Sequence, residues 1–279
     1  MSGIVVAATP LGNIGDASDR LREALATADI VAAEDTRRVR SLASALGVEI
    51  RGRVVSNFDH NEDGRVAELI AAARTGTVLL VSDAGMPVVS DPGHAVVTAA
   101  HEAGVPLTCI PGPSAVTTAL ALSGLNTGHF IFDGFAPRKA GPRRAWLESL
   151  VDQPRAVCFF ESPHRIAATL SDAAEILGAD RLAAVCRELT KTYEEVKRAG
   201  LGELAQWAAD GVKGEITVVI EGGRRAAADP EELVAVVLER VERGERLKDA
   251  VKDIARAHGV KTGDLYDLAL AARDGSGSK

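Results

Sequence analysis

The sequence predicts an α/β protein built in two halves with a small helical appendage, and three observations carry that expectation. Short β-branched, apolar runs alternate with segments of helical periodicity from Ile4 to Glu221. Runs such as Ile4–Ala8 and Thr77–Ser82 are apolar throughout, the pattern of strands covered on both faces of a parallel sheet. After the linker-like Gly-Gly-Arg-Arg-Ala-Ala-Ala-Asp-Pro at 222–230, only helical periodicity remains.

In order, Ile4–Ala8 reads as a buried strand. Asp16 or Ser18 can cap a helix running to Thr27, with Leu21 and Leu25 on one face. Asp29–Ala33 reads as a strand, Thr36–Leu46 as a helix stopped by Gly47, Arg53–Ser56 as a strand and Asn61–Thr75 as a helix. Thr77–Ser82 is the central strand, followed by a helix at Ser90–Ala103, a strand at Pro106–Ile110 and a helix at Ser114–Ser123 that Gly124 ends. The second half begins with strand Phe130–Gly134, helix Gly141–Val151, strand Ala156–Phe160 and helix Ile166–Leu177. Ala183–Arg187 and Tyr193–Arg198 are polar enough for antiparallel strands. Helix Leu201–Ala209 and strand Glu215–Glu221 complete it. The appendage holds helices at Glu231–Arg243, Arg246–His258 and Thr262–Arg273. The expected domains are residues 1–116, 117–226 and 227–279.

Composition narrows the function classes. The chain has 279 residues, 46% of them hydrophobic, and a formal net charge of −7, which argues against a nonspecific polyanion binder while allowing a local basic patch. Aromatics make up 4%, so stacking platforms are few. Cys109, Cys158 and Cys186 form no CxxC and lie in strand-like runs, so buried free thiols are expected. The six histidines show no metal-ligand spacing, so no metal is expected. Met1–Ala8 reads as a strand start rather than a signal peptide, and no run reaches membrane-spanning length; a cytoplasmic protein is expected.

The chemistry-bearing segments lie at strand ends. Val78–Gly93 runs from an apolar strand into a loop with two Asp, two Gly and two Pro. Leu107–Ala115 repeats the design with Ile-Pro-Gly-Pro-Ser-Ala. Such loops at the carboxyl ends of buried strands are where open α/β sheets hold ligands, and here main chain can close on a small molecule. Thr9–Asp16 occupies the place of a Rossmann phosphate loop, with Glu34-Asp35 where a ribose-binding acid would sit. It offers only G-x-x-G, and no kinase-type phosphate loop exists, which weakens an NAD- or nucleotide-binding reading; a plain capped turn explains it as well. In Ala33–Arg38 the cation of Arg37 either neutralises Asp35 or leaves the acids to orient a hydroxyl-bearing substrate. Ser56–Glu62 is a polar cluster in which His60 can be a general base, or Asp59 and Asn61 simply cap a helix. Residues 134–165 carry six cations against three acids, and the loop-like Pro137–Arg144 can either clamp phosphates or be a solvated helix start.

Together these segments resemble one family. The motifs are Thr-Pro-Leu-Gly-Asn-Ile-Gly-Asp (9–16), Ala-Glu-Asp-Thr-Arg (33–37), Asp-His-Asn-Glu (59–62), Ser-Asp-Ala-Gly-Met-Pro-Val-Val-Ser-Asp-Pro-Gly (82–93) and Ile-Pro-Gly-Pro-Ser-Ala (110–115). They continue as Phe-Glu-Ser-Pro-His-Arg (160–165), Arg-Glu-Leu-Thr-Lys (187–191), Gly-Glu-Ile-Thr-Val-Val (214–219) and Leu-Tyr-Asp-Leu-Ala-Leu (265–270). In this order, over nearly the whole chain, they are similar to the ribosomal RNA small subunit methyltransferase I family. That family is the 16S rRNA cytidine 2′-O-methyltransferase branch of the tetrapyrrole methylase-like enzymes.

The resemblance implies a two-domain tetrapyrrole methylase-like (class III) methyltransferase fold with a C-terminal helical extension and S-adenosylmethionine in the cleft. By motif position, Asp83, Ala84, Gly85, Met86, Pro87, Ser114 and Ala115 should hold its methionine and ribose parts, with Asp83 favoured over Asp91. Phe160, Glu161, Leu189, Glu215, Ile216 and Thr217 should flank the adenine. Asn13, Arg37 and Asn61 should face the substrate, Arg138, Lys139, Arg143 and Arg144 should grip RNA phosphates, and Asp35, His60 and Glu34 are the candidate bases. The implied partner is 16S rRNA within the small ribosomal subunit, and the implied state a homodimer. Two alternatives remain open at this stage: a sister activity on a tetrapyrrole or diphthine-type substrate, and a noncatalytic ribosome-binding protein.

Overall fold

A computed structural model describes residues 2–57, 62–223 and 230–276, with backbone alone at 62–64 and 274–276. Residues 1–148 and 156–221 form one compact unit; residues 149–155 and 222–279 form another.

In the first unit the chain alternates β1 (Gly3–Ala7), α1 (Asp19–Thr27), β2 (Ile30–Ala33), α2 (Thr36–Ala45), β3 (Arg53–Ser56), α3 (Glu62–Ala73), β4 (Thr77–Val81), α4 (His94–Glu102) and β5 (Leu107–Ile110). These strands form one sheet of order β3-β2-β4-β1-β5, and every pairing is parallel. Helical crossovers cover both faces, which is why β2 and most of β4 are buried and read as unbroken apolar runs. Leu21 and Leu25 of α1 pack on one side with Val31 and Leu79, and Leu69, Val96 and Ala100 pack on the other with Ile4 and Leu80.

After α5 (Ala115–Leu122) come β6 (Phe130–Phe135), α6 (Ala140–Glu148), β7 (Ala156–Glu161), α7 (Ile166–Leu177), β8 (Leu182–Arg187), β9 (Glu195–Gly200), α8 (Leu201–Ala209) and β10 (Ile216–Ile220). Their sheet has the order β6-β7-β10-β8-β9; β6 and β7 are parallel, and the other pairings are antiparallel. The register sets Ile216 opposite both Glu161 and Arg187, so one edge of this sheet gathers the start of β10 with the ends of β7 and β8.

The second unit contains α9 (Pro230–Glu242), α10 (Leu247–His258) and α11 (Thr262–Ser276). Leu233, Val237, Val251, Ile254 and Leu265 form their common core, and Gly259 closes α10 in the left-handed conformation at φ 70°.

Three local expectations are corrected. The helix expected from Ser90 begins only at His94, because Val88 (φ 74°), Ser90 (φ 63°) and Gly93 (φ 125°) hold the chain out of helical geometry. The strand expected from Tyr193 begins at Glu195, because a turn with Glu188 at φ 51° and Thr190 at φ 66° precedes it. Cys109 is exposed on the edge strand β5, whereas Cys158 and Cys186 are buried. Burial pushes the Cys158 thiol up to about 12 and the Cys186 thiol up to about 11, so both are inert apolar filling.

Candidate functional site

In a fully parallel sheet all carboxyl ends lie on one edge, so the loops after β1, β2, β4 and β5 converge there. The pairing of Ala33 with Val81 brings Glu34-Asp35 beside Ser82-Asp83. A knot of hydrogen bonds follows: the Asp35 N–H donates to Asp83 Oδ1 at 3.1 Å, and the Asp83 N–H donates to Glu34 Oε2 at 3.4 Å. Thr9 and Gly85 exchange backbone hydrogen bonds of 2.9 and 3.0 Å, and the Thr9 hydroxyl donates to the Ser82 carbonyl at 3.2 Å. The β4 loop is thereby pinned to the β1 loop. Gly85 sits at φ 82°, and a Cβ there would come 3.3 Å from Leu11, so a side chain would meet both backbone strain and crowding.

These loops face the gathered edge of the second sheet across a cavity of about 410 Å³, within the usual range for small-molecule sites. Its apolar lining includes Leu11, Ala84, Ala115, Phe135, Phe160 and Ile216; its charged lining includes Glu34, Asp83, Asp91 and Glu215 with Arg38. A recess of about 60 Å³ shares Leu11, Ala84, Asp91, Ala115 and Phe160 and adds Gly85, Met86 and Ser114. Apolar walls suit a flat aromatic group, and a surplus of carboxylates suits a ligand carrying positive charge.

Burial is the largest influence on Asp83 and raises its carboxyl above the ordinary range, against the Asp35 N–H and the Arg38 guanidinium 3.4 Å away. Asp35 behaves oppositely: it caps α2, and the Arg37 N–H donated at 2.7 Å holds its carboxyl below the ordinary value. Lys191 joins Glu188 to the cavity-lining Glu215, each at 2.9 Å. The Asn13 N–H donates to the Thr190 hydroxyl at 3.1 Å, which ties the β1 loop to the turn after β8.

Of the cofactor residues expected from sequence, Asp83, Ala84, Gly85, Met86, Ser114, Ala115, Phe160, Glu161, Glu215, Ile216 and Thr217 line the cavity or its recess. Pro87 and Leu189 do not; Pro87 is buried, and Leu189 packs in the core with Val116 and Cys186. The Glu161 carboxylate is fully buried and turned into the fold, where it accepts from Thr169 at 2.6 Å and pairs with Arg165 at 2.6 Å.

Among the candidate bases Glu34 lines the cavity and Asp35 does not. His60, with Asp59 and Asn61, lies outside the described residues. Asn13 is exposed, and its side chain accepts from the Gly15 N–H at 2.9 Å as the cap of a short turn. Arg37 points outward beside Asp35, 89% exposed, whereas its neighbour Arg38 lines the cavity. A helix turns about 100° per residue, so adjacent cations at its start cannot share one face. That spacing separates the two, and only the packing of α2 decides which one lines the cavity.

Arg143 and Arg144 correct the phosphate-clamp expectation. Both lie within α6; Arg143 is buried and pairs with Asp172 of α7 at 2.7 Å, and Arg144 pairs with Asp172 at 3.0 Å and Glu175 at 2.6 Å. Arg138 and Lys139 precede the helix and are exposed.

Residues 3–205 match the model of the Tetrapyrrole (Corrin/Porphyrin) Methylases. The crystal structure of the methyltransferase CobJ superposes with a TM-score of 0.60 at 19% identity, covering 81% of this chain and 95% of that one. A diphthine synthase superposes with a TM-score of 0.57 at 20% identity, covering 78% and 89%. At these identities the likeness shows the fold alone. Sequence relatives go further. A protein of Mycobacterium bovis named ribosomal RNA small subunit methyltransferase I is 58% identical over 98% of this chain and 96% of its own length. One of the same name from Escherichia coli O157:H7 is 37% identical over 96% and 94%. This chain therefore belongs to the ribosomal RNA small subunit methyltransferase I family of S-adenosylmethionine-dependent methyltransferases, on the tetrapyrrole methylase fold.

Proposed function

We propose that the protein methylates the ribose 2′-oxygen of a cytidine in 16S rRNA, in the decoding region of the small ribosomal subunit. The observation that carries this reading is near-full-length identity of 58% with a relative named for small subunit rRNA methylation. The donor set fits the cofactor: apolar Leu11, Phe160 and Ile216 suit adenine, and Glu34, Asp83, Asp91 and Glu215 suit a sulfonium and an ammonium. When bound, S-adenosylmethionine supplies an electrophilic methyl on a positively charged leaving group, so alignment does much of the work.

In this reading the β4 loop, stiffened by its bonds to Thr9, orients the cofactor through Asp83, Ala84, Gly85 and Met86. Glu34 takes the proton that leaves the ribose hydroxyl as its oxygen bonds to the methyl carbon; its place in the cavity lining supports it over Asp35. Arg138 and Lys139 hold phosphates. The reading includes a homodimer in the cytoplasm as the working form, which sedimentation of the purified protein checks.

Incubating small subunits that lack the modification with labelled cofactor, then mapping the methyl, tests the proposal. Label on one cytidine ribose supports it; label on a base, or none on RNA, overturns it.

A further inference from the structure

The rim of the cavity carries an aromatic side chain that a regular strand would direct elsewhere. Along β6, Phe132 pairs with Cys158 of β7 and Phe135 pairs with Phe160, so three steps on one strand match two on the other. The extra residue is a β-bulge, with Gly134 beside Phe135 in the left-handed conformation at φ 68°. A Cβ on Gly134 would come 3.1 Å from the Ser90 hydroxyl of the β4 loop, so the bulge also lets that loop approach. In a regular strand, residues three apart face opposite sides of the sheet. Here both rings meet the same partner edge-on, Phe132 at 5.0 Å and Phe135 at 5.4 Å from the Phe160 centroid. Bulges next to active sites re-aim side chains, and this one turns Phe135 to the cavity.

Phe135 lines that cavity and is nevertheless 58% exposed. Phe160, Ile216 and Thr217, all less exposed, also line the cavity, so an adenine held among them does not need Phe135. Three and four residues further on, Arg138 and Lys139 are exposed cations. An exposed aromatic face followed within a few residues by cations is an arrangement that can receive an unpaired base and its phosphates.

We propose that Phe135 is the stacking platform for a nucleobase of the RNA substrate, setting the ribose of that nucleotide against the methyl donor. The inference rests on the reading that the substrate is RNA.

Phe135→Ala and Phe135→Trp in the full chain test it, with four readouts beside wild type. A single-stranded oligoribonucleotide of about ten nucleotides is titrated by fluorescence anisotropy, and the alanine variant is expected to bind roughly tenfold more weakly, with tryptophan restoring affinity. On small subunits lacking the modification, kcat/KM should fall in step, through KM. Calorimetry with S-adenosylmethionine should give the wild-type affinity for both variants, and light scattering the wild-type mass. A parallel loss of cofactor affinity would make Phe135 an adenine wall, and a change of mass would make it a contact between copies; either overturns the proposal. So does unchanged RNA binding by the alanine variant, or no RNA binding by wild type. Wild type that binds RNA and never methylates it refutes the methylation reading alone.

Discussion

The two sheets reach the same cavity with different ends, and they contribute different chemistry. The first is wholly parallel, so its contribution comes entirely from loops past the carboxyl ends, with Glu34, Asp83 and Asp91 among them. The second is mixed, and its contribution comes mainly from strand residues and their immediate flanks, with Phe135, Phe160, Ile216 and Thr217 as walls. Its Glu161 is turned inward to Arg165 and Thr169. Most ionisable groups in the lining, Glu34, Arg38, Asp83 and Asp91, thus come from the loop-built side, and shape comes from the strand-built side. Loops tolerate strained backbone and polar residues, whereas strand interiors must satisfy the ladder and the core.

The sharpest way to break this contrast is in α6. If Arg143 is structural, Arg143→Ala should cost about 1.5–3 kcal/mol of stability, because the half-buried Asp172 loses its closer cation and keeps only Arg144. Thermal or urea unfolding reads it. Arg138→Ala should leave stability unchanged and reduce the salt dependence of RNA binding by about one counterion. Equal stability for both variants would mean that the inward pairing contributes nothing.

Glu34→Gln tests the loop side. Single-turnover methylation at saturating cofactor should fall at least about a hundredfold, the lower range for loss of a general base, while Asp35→Asn stays far closer to wild type. Equal losses would end the distinction between the lining acid and the capping one.

Asp83 gives a smaller, pH-dependent effect with a definite sign. Its folded carboxyl is raised above the ordinary value of 3.8, mainly by burial, so ionisation in the fold is unfavourable relative to the unfolded chain. That penalty is absent below the ordinary range, grows as pH rises through it, and is complete above the raised value. Asp83→Asn should therefore stabilise the ligand-free protein at neutral pH, with the gain vanishing in acid. Paired melting curves across that window check it, and a constant difference at all pH values would refute the burial cause.

The smallest effect belongs to Ser90, exposed and left-handed at φ 63°. Ser90→Gly should raise stability by about 0.5–1 kcal/mol by relieving that conformation, offset in part by the freer unfolded chain. A loss of stability would show that the β4 loop is not strained there.

Much of this was legible in the residues. The apolar run Thr77–Ser82 announced a strand covered on both faces, and the Gly- and Pro-rich loop after it was expected at a cleft and lines the cavity. Arg143 and Arg144 were misread because sequence shows charge and not its partner; Asp172 lies in another helix, and only packing of α6 on α7 joins them. Cys109 was misread because an apolar run does not say whether its strand is central or at the edge.

Periodicity, turn residues and motif order were enough for the α/β class, nearly every element and the family, because those signals are local and additive along the chain. The choice of Arg38 over Arg37, of Glu34 over Asp35, and the turning of Phe135 by the Gly134 bulge emerged only when distant strands were brought into register. Which face a side chain presents depends on a pairing partner many residues away. A shift of one residue in that pairing reverses the face, and no local pattern in the chain records it.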